Sequence, residues 1–189
     1  LNSYKVHHIQ HPDELNLNKG CFLVLLHASR IPPHVGMLVA GKYYSLNVKG
    51  RDLEVPLEAL IKNIRQRKLP ALFIQIHSPE GTTDSLLAAD LVKCIRQFDR
   101  VDSGIATCLS PMKLFLAFNW QLDLSGIQYV YQLLELLEQK NKIGKASSYF
   151  LDTAQQSGSF QLPYYTMKEI QAGIEKVRTE YTQDADIKR

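Results

Sequence analysis

The stretch Ile31-Pro-Pro-His-Val-Gly-Met-Leu-Val-Ala-Gly-Lys-Tyr-Tyr-Ser-Leu-Asn47 leaves the backbone few choices. Proline fixes its own φ and keeps the residue before it out of the helical region. Met37, Leu38 and Val39 form a short apolar run, and Ala40-Gly41-Lys42 supplies a turn in which Gly41 is free to take a positive φ. Tyr43, Tyr44, Ser45 and Leu46 then return as an aromatic, strand-forming segment. The pattern predicts a β-hairpin with His34 at the mouth of its first strand. A titratable ring in that place is either a capped edge residue or a catalytic base, and other parts of the chain must decide.

At 189 residues the chain is one domain, or one domain with an appendage. A net charge of +3 is too small to argue for nucleic acid. Lys62, Arg65, Arg67 and Lys68 cluster on one short helical stretch, where a solvated face is expected rather than a phosphate-binding patch. Cys21, Cys94 and Cys108 cannot all pair within the chain and show no metal spacing, so at least one thiol is free. No apolar run reaches the roughly 18 residues of a transmembrane helix. The chain begins with Leu1, so both a cytoplasmic protein and one exported after loss of a leading segment stay open.

Residues 1–19 are polar, and their His7, His8 and His11 are expected on the surface rather than on a metal. Cys21–Ala28 is a continuous apolar run and predicts a buried strand, with Cys21 a small core residue. Val48–Asp52 is expected to turn. A helix is expected from Pro56 to about Lys68, with Leu57, Leu60, Ile61 and Ile64 on one face. Ala71–His77 predicts another strand, with His77 at its end as a second candidate active-site histidine. Thr82 or Thr83 should cap a helix over Asp84–Phe98 whose apolar stripe holds Cys94, and Asp99–Gly104 then links to Cys108. Beyond it come a helix to about Asp123, one from Ser125 to about Lys140, and a loop over 144–163. A last helix opens at Thr166 and Glu169 and fades into charge from Thr179.

A thiol nucleophile acts as the thiolate, and a free cysteine has a pKa of about 8.5. A helix N-terminus and an imidazolium both lower that value. Cys108 stands where an irregular segment enters an amphipathic helix, which is the right kind of place. Ser110-Pro111 offers an alternative cap, which would leave Cys108 just outside the first turn.

The order of these pieces resembles the circularly permuted branch of the NlpC-type, papain-like superfamily, which includes lecithin:retinol acyltransferase-like enzymes and related bacterial hydrolases. His34-Val-Gly-Met-Leu38 is similar to that group's His-strand motif, and Thr107-Cys-Leu-Ser110 with the run Lys113–Phe118 to its Cys-helix motif. The resemblance covers roughly residues 20–120. It implies an α+β fold with an antiparallel sheet from the strands of residues 21–77 packed against the Cys-bearing helix. Residues 1–123 would be the core and 124–189 a C-terminal helical extension. It also implies Cys108 as nucleophile and His34 as base. The third, orienting residue falls on Ser45, where the group carries a stronger partner. Asn47 has the same strand parity and an amide oxygen that can accept an imidazole N–H. The backbone N–H of Cys108 would serve the oxyanion hole with one further donor.

The implied reaction is hydrolysis or acyl transfer of a peptide, lipid or small-molecule amide or ester through an acyl-thioester, without metal or organic cofactor. Tyr43, Tyr44, Phe115 and Phe118 are candidates for an acyl groove, though such residues are more often core. The alternative is a catalytically inactive binding or interaction module on the same fold, which the weak third residue Ser45 favours.

Overall fold

The computed structural model of the chain describes residues 3–102, 104–151 and 157–187. Its centre is the strand Cys21–Leu26, here β3, which is buried at every position. A strand with no polar alternation needs cover on both faces, and two separate apolar clusters provide it. Cys21, Leu23 and Leu25 face one cluster, and Phe22, Val24 and Leu26 face the other.

Among the described residues, seven strands form one sheet in the order β2–β8–β7–β3–β4–β5–β6. They are β2 (Ile9–Gln10), β3, β4 (His34–Val39), β5 (Lys42–Asn47), β6 (Gly50–Pro56), β7 (Ala71–Ile76) and β8 (Ile143–Tyr149). Every neighbouring pair is antiparallel except β2 with β8. A separate antiparallel pair joins β1 (Ser3–Val6) to β9 (Phe160–Pro163). The fold is therefore α+β with a mostly antiparallel sheet.

Helix α1 (Leu57–Arg67) covers the face of Phe22 with Leu57, Leu60 and Ile64. The other face carries α2 (Asp84–Ile95), α3 (Leu109–Trp120), α4 (Val130–Gln139) and α5 (Met167–Ile187). The caps follow from the sequence. The Thr83 hydroxyl accepts the Leu86 N–H at 3.3 Å and opens α2. Thr166 and Glu169 cap α5 reciprocally, the Glu169 carboxylate accepting the Thr166 N–H at 2.7 Å. No described helix is long and apolar enough to cross a membrane.

Several expectations change. Residues 3–14 are not merely a surface segment: they add β1, β2 and a short 3-10 turn at Pro12–Glu14. The Val48–Asp52 region is mostly strand, because β6 starts at Gly50 and pairs Asp52 with Ser45. Helix α4 starts at Val130 rather than at Ser125, whose hydroxyl and N–H turn back to Asp123; the Gln132 side chain accepts the N–H groups of Gln128 and Tyr129 instead. The expected loop at 144–163 contains β8 and β9, with its residues 152–156 outside the described ones. Residues 124–189 thus supply a strand inside the main sheet as well as helices. Helix α5 runs on to Ile187 through the expected charged tail.

The hairpin turn is two residues long, with Ala40 at φ 51° and Gly41 at φ 73°, the geometry that fits the twist of antiparallel strands. Above it, Gly36 has a different task. A Cβ there would lie 2.6 Å from the Tyr43 ring and hydroxyl. Gly36→Ala should cost about 1–3 kcal/mol through overpacking. The urea midpoint should fall at constant m, and the cost should vanish in a Tyr43→Leu background.

Candidate active site

Strand β4 starts directly after the two prolines, so His34 is its first residue. Hydrogen-bonded pairing of β4 with β5 begins only at Gly36 opposite Ser45. The first turn of β4 is thus open on that side, and the segment leading to α3 enters there. The Val101 N–H donates to the Asn47 carbonyl at 2.9 Å, and Asp102 bridges Ala106. This delivers Cys108 as the N-cap residue of α3. The Val35 N–H donates to its sulfur at 3.4 Å.

The helix starts where Cys108 needs it. Ser110 and Pro111 are not its cap: Pro111 lies in the first turn, and the Ser110 hydroxyl accepts the Thr107 N–H at 3.0 Å. A proline is tolerated there because early helical N–H groups have no intrahelical partner.

A carboxylate that the sequence pattern does not single out acts on His34. Asp52 stands across β5 on β6, and its charge acts on His34, favouring the imidazolium. The Ser45 hydroxyl and the Asn47 amide each donate to Asp52 Oδ2 at 2.8 Å. Asn47 Oδ1 is already taken by the N–H groups of Lys49 and Gly50. Neither Ser45 nor Asn47 bonds to the His34 ring; they hold Asp52 in place. Asp52 could have been found from the alternation Ser45, Asn47, Asp52 only once β6 was recognised as a strand.

Burial sets the protonation states. It pushes the His34 imidazole down to about 4, against the opposing pull of Asp52 and with some help from His27. It also lifts the Cys108 thiol, although the N–H groups of Val35, Cys108 and Leu109 favour the thiolate. At neutral pH the pair rests as thiol and neutral imidazole, and no hydrogen bond joins the two side chains. Tyr43 lies against Gly36 and packs in the core cluster of Phe22 and Leu38. Its hydroxyl is buried near Ser45, and the charges of Asp52 and Cys108 both bear on it.

Beside the sulfur lies a recess of about 50 Å³. Its apolar walls include Val35, Val101 and Leu109, with Ile170 and Ile174 from α5. Helix α5 is seated there by Gly173, where a Cβ would lie 2.7 Å from Pro32 Cδ, and by an Arg178–Asp102 ion pair of 2.8 Å. Of the aromatic groove candidates, Tyr43, Tyr44 and Phe115 are core residues and Phe118 is exposed. His77 is elsewhere, lining a cavity of about 370 Å³ with His7, His8 and Glu138. No group of three or more His, Cys, Asp or Glu among the described residues is arranged to hold a metal. Cys21 is buried in β3, and Cys94 is buried on α2.

No known family model, curated protein or solved structure matches the chain.

The depressed His34 pKa has a consequence for stability. Between about pH 6.5 and about 4 the unfolded chain takes up a proton that the native ring refuses. Stability present above that window should fall as pH drops through it, by up to about 3 kcal/mol. Urea titrations at pH 7 and pH 4.5 should show this, and His34→Leu should flatten much of the slope.

Proposed function

We propose that the chain is a cysteine-dependent hydrolase or acyltransferase on a permuted, papain-like arrangement of the NlpC type. Cys108 is the nucleophile, His34 the base, and Asp52 the group that steadies the imidazolium. One observation carries this reading: the sulfur at the start of α3 is held by the N–H of Val35, the residue next to His34. Helix start and histidine strand therefore meet at one point, despite their distance in sequence.

The neutral resting pair fits a general-base route rather than a preformed ion pair. His34 takes the thiol proton as the sulfur adds to the carbonyl carbon of an amide or ester. The ring hydrogen bond tightens with substrate, as is common for catalytic contacts that are loose in a free enzyme. The N–H groups of Cys108 and Leu109 face the sulfur and are the donors offered to the negative charge that grows on the carbonyl oxygen. His34 then gives the proton to the leaving group, and water or another acceptor releases the acyl group from sulfur.

A second reading, an inactive binding module, is favoured by the elevated thiol and by the cover that α5 lays over the recess. One comparison separates the two. 4-Nitrophenyl acetate should acylate Cys108 about 100-fold or more slowly in His34→Ala than in the unmodified chain. Alkylation by iodoacetamide, which reports the thiolate already present, should change far less. The acylation rate should also hold from pH 8 to pH 5, because His34 stays unprotonated down to about 4. Equal acylation with and without His34 would leave the binding module as the better account.

A further inference from the structure

We propose, resting on the cysteine reading above, that the recess beside Cys108 receives the acyl group of the substrate and selects a short, uncharged aliphatic one. A water molecule's share of liquid volume is about 30 Å³, and a cavity of about 150 Å³ holds benzene. At about 50 Å³ the recess beside the sulfur seats a chain of roughly two or three carbons. Its lining carries no Asp, Glu, Lys or Arg among the described residues, so an acyl group bearing an ammonium or a second carboxylate finds no partner there.

The walls explain why the space is short. Val35 comes from β4, Val101 and Leu109 flank the thiol, and Val130 opens α4. Ile170 and Ile174, one turn apart on α5 and both buried, add the wall from that helix. Because Gly173 and the Arg178–Asp102 pair fix α5 against this end of the molecule, the length limit is a property of that helix.

The step balances without a further reactant. The Cys108 S–H proton goes to His34, the S–C bond to the acyl carbon forms, and the C–O bond of the ester breaks. His34 returns the proton to the departing alcohol, or keeps it when a phenolate leaves. Water then adds to the thioester, the S–C bond breaks, and the thiol regains its proton while the short acid departs.

The test uses the whole chain and three 4-nitrophenyl esters, the acetate, butyrate and octanoate. Nitrophenolate release is followed together with the mass of the Cys108 peptide. Acetate should acylate Cys108 about tenfold or more faster than octanoate. Ile174→Ala should raise the butyrate-to-acetate ratio about tenfold, and Ile174→Val, a milder change, should move it in the same direction. A rate that is flat or rises with chain length, with the acyl group on Cys108, overturns the short-chain selection and leaves the cysteine reading standing. No acyl group on Cys108 from any of the three esters, in chain shown folded by circular dichroism, overturns the cysteine reading and the selection with it.

Discussion

The burial of β3 on both faces is the constraint from which the remaining architecture follows. A strand with no polar side would expose a row of Phe, Leu and Val if either layer were missing. Fully burying one such side chain contributes about 1.5–3 kcal/mol, so both layers are compulsory. One is α1 alone, whose apolar stripe matches the Phe22 face. The other is the group of α2, α3, α4 and α5. Once α3 must lie on that second face, its first residue has to arrive beside the open end of β4, which is where the Cys108 sulfur meets the Val35 N–H.

The same burial works against ionisation. Three N–H groups around a sulfur at a helix start would ordinarily favour the thiolate, and a carboxylate behind an imidazole would ordinarily favour its charged form. Here desolvation outweighs both, for the thiol and for the ring. A site built in this way stays quiet towards reagents that need a standing thiolate.

What the chain revealed in advance was governed by local signals. The apolar run at β3, the proline-bounded hairpin, the Pro56 entry to α1 and the Thr83 cap of α2 all depend on residues close in sequence, and each appears where its pattern says. Strand β8 was hidden because Gly144, Ser147 and Ser148 look like loop residues; the two serines are nonetheless fully buried, held by pairing to β7 from far upstream. Strand β6 was hidden by Lys49 and Gly50, which mark a turn and mask the Asp52 that follows. Of the candidate site, His34 and Cys108 were legible and Asp52 was not, since its charge acts on His34 across a strand pairing that no short window contains. Ser45 and Asn47 had the right parity but a different partner.

Ile170 and Ile174 come from the last described helix, although they finish a recess whose thiol is made much earlier in the chain. Synthesis proceeds from the N-terminus, so Cys108 emerges before the segment that walls it in. A chain still being made, or one cut ahead of α5, presents this sulfur without that wall and without the Arg178–Asp102 tie. The wall of the recess is therefore acquired after the thiol, and its closure is a matter of timing as well as of shape.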